Sequence, residues 1–270
     1  QVGQELAGRL EGAEDLRYVS FTPEDTGSYG FYTEGECDTY GALLDADGRS
    51  LIENDAGNGG ENFIVAATLM VGRTYYIEIS TLRYDATKPE FAIYAERYSE
   101  PSDDLFYEQW HLLDKAGAND INILPVWKHF SGSGIGVGAA DTGTYTEHTD
   151  LKSNMRTDLC YNFIHGIPDV FPGGEKYSSL SASGGHGTHV AGIVAASKNG
   201  TGAVGVAPDA SISSLKVLGS TLSGYPLKND ILASIEAVQY AQKNDIPIVN
   251  VRLGGSEYSE SERRAMEAAN

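Results

Sequence analysis

The sequence predicts two folds in succession: an all-β sandwich, then an α/β part built on a parallel sheet. Three observations carry this. From Leu16 to about Tyr98, short runs alternate apolar and polar residues between turns rich in Gly, Asp and Asn, the pattern of strands buried on one face. After Gln109, apolar runs of strand length alternate with segments of helical period, which calls for parallel strands covered by helices on both faces. Between them, residues 99–108 (SEPSDDLFYE) form a polar connector. The expected domains are therefore 1–98, the connector 99–108, and 109–270.

Residues 1–15 are polar and read as a lead-in. Strands are expected over 17–21, 28–33, 39–44, 62–66, 75–79 and 91–94. Asp45-Ala46-Asp47-Gly48 and Asp55-Ala56-Gly57-Asn58-Gly59-Gly60 supply turns, and Asp38, Asp45 and Asp47 are suited to bracing them. In the second part, 134–140 reads as a buried strand and 187–196 as a small-residue helix. Strand 211–218, helix 229–243, strand 247–253 and helix 259–270 follow.

Hydrophobic residues make up 41% of the 270, enough for a sizeable core, and the formal net charge is -19. Such an acidic surface repels phosphate backbones, so nucleic acid is not an expected partner. No apolar run is long enough to span a membrane. Cys37 and Cys160 fall in different expected domains, and are read as two unpaired thiols. The sequence opens on Gln1 without a leader and stops at Asn270 within a helical pattern; both ends read as cut.

Two short runs carry chemistry. Residues 134–140 lead into Asp141-Thr142-Gly143. A carboxylate at the carboxyl end of a parallel strand sits where open sheets gather reactive groups, and, being buried, it must find a partner. Alone, Asp-Thr-Gly also fits an aspartic protease motif or an aspartate capping its turn. His186-Gly187-Thr188-His189-Val190-Ala191-Gly192 follows, placing His186 in the first turn of a tightly packed helix. His186 and His189 are three apart. A zinc protease helix would carry a glutamate after the first histidine and a second histidine four residues on, so zinc is not expected and His189 is read as a buried structural residue.

Taken together, these runs resemble the subtilase family of serine proteases. Asp141-Thr142-Gly143 with His148 and Asp150-Leu151 is similar to its aspartate motif, and 186–192 to its histidine motif. Gly205-Val206-Ala207-Pro208, Leu215-Lys216-Val217-Leu218 and Asn250-Val251-Arg252-Leu253-Gly254-Gly255 add to the likeness, as do Gln109-Trp110-His111-Leu112 and Ile121-Asn122-Ile123-Leu124-Pro125-Val126-Trp127. The resemblance covers about 104–270. It implies a secreted or cell-surface serine endopeptidase acting on peptides or proteins. Asp141 and His186 would be the aspartate and histidine of an Asp-His-Ser triad. The family's Gly-Thr-Ser-Met-Ala serine motif does not occur among these residues, so the fragment itself is expected to be inactive. Arg252 stands where relatives usually have serine, and Thr149 replaces a common proline. These departures keep a rival reading alive, a non-catalytic binding module on a degenerate subtilase scaffold.

The resemblance further implies that peptide binds as an added strand between 219–225, with Gly219, Ser223, Gly224 and Tyr225, and 252–255, with Leu253, Gly254 and Gly255. It also implies a structural calcium ion. Asp150 and Asn199 would give side-chain oxygens, Ser197, Thr201 and Ala203 backbone carbonyls, and Gln109 is a weaker candidate. The front part resembles the bacterial pre-peptidase C-terminal domain, a small jelly-roll sandwich. Tyr29-Gly30-Phe31-Tyr32-Thr33, Asp38-Thr39-Tyr40, Leu44-Asp45-Ala46-Asp47-Gly48 and Gly72-Arg73-Thr74-Tyr75-Tyr76-Ile77 carry that likeness. Its tyrosines are read mainly as core residues, with exposed ones able to hold a polysaccharide or an insoluble protein.

Overall fold

The structure is a computed structural model that describes residues 2–55, 61–113, 120–172, 185–219, 224, 228–251 and 259–269. The chain divides into two units, Gln1–Glu100 with Tyr107–His129, and Pro101–Phe106 with Phe130–Asn270. The division thus runs through the stretch read as a connector. Residues 101–106 join the second unit and 107–129 the first, where Lys128 pairs with Glu96 at 2.7 Å.

Among the described residues the first unit has eight strands, β1 (Glu5–Arg9), β2 (Arg17–Phe21), β3 (Gly27–Gly35), β4 (Tyr40–Leu44), β5 (Ser50–Asn54), β6 (Ile64–Leu69), β7 (Tyr75–Ser80) and β8 (Glu90–Arg97). They form two four-stranded antiparallel sheets, ordered β1-β8-β3-β6 and β2-β7-β4-β5. The period of two is plain in β7, where Tyr75, Ile77 and Ile79 are buried and Tyr76 is exposed. Both sheets feed one core. Tyr29, Phe31, Val65, Leu69, Phe91 and Ile93 come from the first, and Leu43, Tyr75, Ile77 and Ile79 from the second. Asp45 braces its turn, with Oδ1 accepting the Asp47 and Arg49 N–H groups at 2.9 Å.

One expectation is corrected here. Residues 1–15 are not all lead-in, because Glu5–Arg9 is a strand paired along its length with β8. As an edge strand it is mostly exposed, Leu6 included. Backbone bonding holds it rather than an apolar face, so alternation could not reveal it.

The second unit is a parallel sheet ordered β10-β11-β9-β12, with β9 (Gly136–Asp141), β10 (Tyr161–Asn162), β11 (Ser211–Lys216) and β12 (Ile248–Val251). Helix α2 (His186–Ala195) packs Ala191 and Ala195 against Val137 and Ala139. Helix α3 (Asp230–Lys243) packs Ala233, Ala237 and Ala241 with Ala140 and Leu215. Successive side chains of a strand point to opposite faces, so the helices cover the two faces of β9, as the alternating pattern required. Asn229 caps α3, its Oδ1 accepting the Ile231 N–H at 3.0 Å. Beyond β12 lies α4 (Glu260–Ala269). A short helix, α1 (Ile123–Trp127), belongs to the first unit.

Candidate active site

The site forms where β9 ends. Val137, Ala139 and Asp141 share a face of the strand, and the last of them is 1% exposed. Its backbone carbonyl accepts the N–H groups of Val217 at 2.9 Å and Leu218 at 3.2 Å, which ties the strand tip to the chain leaving β11. Its Oδ1 accepts the Thr142 N–H at 2.6 Å and lies 2.7 Å from His186 Nδ1. A carboxylate only accepts, so Nδ1 donates. In the neutral ring the other nitrogen, Nε2, is then an acceptor, on a side chain that is 43% exposed. Asp141 Oδ2 is buried with no hydrogen-bond partner among the described residues.

The sequence brings the two groups together by omitting side chains. A Cβ on Gly187 would lie 2.4 Å from the Gly143 carbonyl oxygen and 3.1 Å from Asp141 Cβ, so only glycine lets α2 start this close to the strand tip. Gly143 itself has φ 101°, a conformation open chiefly to glycine. Two hydroxyls then stitch the turn to the helix. Thr142 Oγ1 accepts the Gly187 N–H at 3.0 Å, and Thr188 Oγ1 accepts the Tyr145 N–H at 3.0 Å. Both threonines stood in the motifs, but nothing in their spacing announced this role.

His189 is exposed on α2, not buried as its motif position suggested. Among the described residues no group of three or more His, Cys, Asp or Glu side chains could hold a metal ion. Of the expected peptide-binding residues, Gly219 is exposed beyond β11, and Gly224 sits in a turn at φ 84°. Ser223, Tyr225, Leu253, Gly254 and Gly255 lie outside the described residues, as does Arg252.

The loop expected to hold calcium closes on Asp150. Its buried carboxylate accepts the Ala203 N–H through Oδ2 at 3.0 Å, and its backbone carbonyl accepts the Ser197 N–H at 2.8 Å. Asn199 Oδ1 accepts the Thr201 N–H at 3.0 Å. Gly202 wraps so tightly that a Cβ there would lie 2.3 Å from Asp150 Oδ2. Gln109 belongs to the first unit. Asp103, 2% exposed, meets the loop, with Oδ1 accepting the N–H groups of Asn199 at 2.9 Å and Gly200 at 3.0 Å. Asp104 accepts the Gly202 N–H in the same way. A pair of aspartates in a polar linker gave no sign of this. Desolvation pushes the Lys198 ammonium down, against the charges of Asp209 and Asp103. Cys37 and Cys160 are both free and buried, as read from their number, and burial pushes both thiols up.

A parallel α/β sheet with a strand-end aspartate hydrogen-bonded to a histidine that opens the adjacent helix defines a recognisable class. The family model of the subtilases, peptidase S8, matches residues 132–270, and the chain belongs to that family. It is 36% identical over 140 residues to subtilisin DY of Bacillus licheniformis, covering 52% of this chain and 44% of that protein. It is also 36% identical over 144 residues to an intracellular serine protease of Paenibacillus polymyxa, covering 52% and 39%. The chain thus spans less than half the length of these relatives. A solved protease of Pseudoalteromonas arctica superposes with a TM-score of 0.52 at 29% identity, covering 63% of this chain and 56% of that one. No helix among the described residues is long and apolar enough to cross a membrane.

Proposed function

We propose that this chain carries the aspartate and histidine of a serine endopeptidase's triad, with the nucleophilic serine supplied by residues outside these 270. The observation that carries the reading is the 2.7 Å bond between Asp141 Oδ1 and His186 Nδ1. Asp141 holds the imidazole in the tautomer that leaves Nε2 bare. Nε2 takes the serine hydroxyl proton as the oxygen attacks the peptide carbonyl, then hands it to the leaving amine. The substrate is a peptide or protein, laid as an added strand against 219–225 and 252–255. The 270 residues alone are inactive, and the full-length protein is secreted or held at the cell surface.

A fluorophosphonate that labels activated serines tests this on the full-length protein. His186→Ala is expected to cut labelling by the order known for subtilisin's own triad, about four to six decades. Labelling that persists at the wild-type rate would overturn the reading. A full-length protein that is never labelled favours the degenerate scaffold that Arg252 and the missing serine motif suggest.

The loop closed on Asp150 suits a hard cation. Its side-chain donors are all oxygens, and its glycine lets the backbone wrap the carboxylate. Asp150 and Asn199 would hold calcium with the carbonyls of Ser197, Thr201 and Ala203, and Asp103 braces the loop. The ion would supply cohesion rather than chemistry. Calorimetric titration with calcium checks this: heat of binding lost in Asp150→Ala is expected, and no binding by the wild type would defeat it.

The first unit is read as a jelly-roll sandwich akin to the pre-peptidase C-terminal domain. Its strand orders, 1-8-3-6 and 2-7-4-5, support two interleaved Greek keys. Tyr18 and Tyr76 are exposed beside Glu78, with the Tyr18 hydroxyl donating to Glu78 at 2.5 Å, and this face would hold a polysaccharide or insoluble protein. Retention on such a solid, weakened by Tyr76→Ala, is the expected result; equal retention of both proteins counts against it.

A further inference from the structure

The last residue of β11, Lys216, is 2% exposed. Few lysines are so deeply buried, because taking an ammonium out of water costs free energy unless it is well paired. The acyl-transfer chemistry above makes no use of it. Its position is nevertheless close to that chemistry. It is the register partner of Asp141 on the neighbouring parallel strand, and adjacent strands run about 4.8 Å apart with paired residues on the same face.

The side chain touches three pieces of backbone around the Asp141–His186 pair. Its stem runs beneath two glycines: a Cβ on Gly143 would lie 3.0 Å from Lys216 Cδ, and one on Gly219 would lie 3.3 Å from Lys216 Cε. Its ammonium donates to the Phe171 carbonyl at 2.7 Å. One residue earlier, the Val170 carbonyl accepts the Thr144 N–H at 3.0 Å, and it sits only 2.3 Å from where a Gly143 Cβ would be. The turn after Asp141 is thus clamped between the lysine stem and the segment that the lysine ammonium holds.

We propose that Lys216 is a positioning residue that pins the turn after Asp141, through the Phe171 carbonyl, and so keeps the carboxylate at bonding distance from His186. It touches neither substrate nor reacting atoms. The inference rests on reading Asp141 and His186 as the working pair. Burial pushes the ammonium down and the charge of Asp169 opposes that shift. A stem that merely filled space would be replaced without loss by methionine. The bond to Phe171 would not.

That difference is what the experiment reads. In the 270-residue chain, a proton on His186 Nδ1 bonded to a buried carboxylate gives a far-downfield, slowly exchanging proton NMR resonance. Lys216→Met keeps the stem and removes the donor. The resonance is expected to broaden or vanish while the melting temperature holds, because an apolar isostere of a buried charge is often tolerated. In the full-length protein, fluorophosphonate labelling is expected to fall roughly ten- to hundredfold, the scale of a misplacement of about 1 Å. Lys216→Arg, which keeps a donor, is expected to retain most of both signals. A folded Lys216→Met with wild-type resonance and labelling overturns the proposal. Should that variant not fold, Lys216→Gln, too short to reach Phe171, carries the same test with the same overturning result. A wild type without the resonance removes the Asp141–His186 pair itself, and this proposal with it. A wild-type resonance that Lys216→Met leaves unmoved removes the proposal alone.

Discussion

Gly8, Gly30 and Gly41 make room for rings in the first unit, whereas Gly143, Gly187 and Gly205 make room for backbone in the second. A Cβ on Gly41 would fall 2.4 Å from the Phe63 ring, whereas one on Gly187 would fall 2.4 Å from the Gly143 carbonyl oxygen. The cores differ in the same sense. Phe31, Phe63, Leu43, Leu69, Ile77 and Ile79 fill the first. Where the helices meet β9, Ala191, Ala195, Ala233 and Ala237 pack with Ala139 and Ala140, beside larger residues such as Leu151, Ile212 and Leu215. Large side chains stabilise by the area they remove from water. Small ones bury less and let main chains approach, and that approach is what sets a buried carboxylate against a histidine. In this chain, volume serves cohesion and its absence serves the site.

Two substitutions would break that contrast. Phe63→Ala is expected to cost the first unit about 3–5 kcal/mol, the toll for a fully buried aromatic ring, measured as a drop in denaturation midpoint. The downfield His186 resonance should stay where it is. A cost under about 1 kcal/mol would mean that the ring is not a main support. Gly187→Ala should do the reverse. Alanine favours a helix over glycine by about 1 kcal/mol, which offsets part of the strain, so the melting temperature changes little. Yet the new methyl meets a carbonyl that cannot yield without moving the turn after Asp141. Fluorophosphonate labelling of the full-length protein is expected to fall on the order of a hundredfold, with loss of the His186 resonance. Unchanged labelling would show that proximity at this point is not what the glycine provides.

What could be read from the sequence follows the same division. Asp141 and His186 were legible because each stands in a contiguous run that resembles a subtilase motif; the small neighbours of each run suggested close packing but left its role open. The strands of the first unit were legible wherever one face is apolar, and β1 was not, since an edge strand held by backbone bonds needs no apolar face. Contacts made across long separations left no local trace. Asp103 reaches the Asn199 and Gly200 N–H groups from about a hundred residues away, from a linker that read only as polar. Lys216 lay within a quoted motif, but a lysine between Leu215 and Val217 gives no hint of pointing inward. Only the register against Asp141 reveals that.

The smallest expected effect separates the units by pH. Tyr98, just beyond β8 in the first unit, is buried, and its backbone N–H donates to the Ser28 carbonyl at 2.9 Å. Burial, and behind it the charge of Glu96, pushes its phenol up to about 12, against about 10 in an unfolded chain. Below pH 10 both states keep the proton and the contribution of Tyr98 to stability is fully present. As pH rises past 10 the unfolded chain ionises first, so stability is lost progressively toward 12. Lys216 in the second unit has the opposite sign. Its folded value lies below 10.5, so the folded state gives up its proton first and stability gains as pH climbs from that value toward 10.5. Tyr98→Phe keeps the ring and has no proton to lose. Denaturation midpoints taken across the alkaline range should therefore fall less steeply in Tyr98→Phe than in the wild type. Parallel slopes would mean that the phenol is not sealed from water, and that the ring-filled unit is looser at that end than its core.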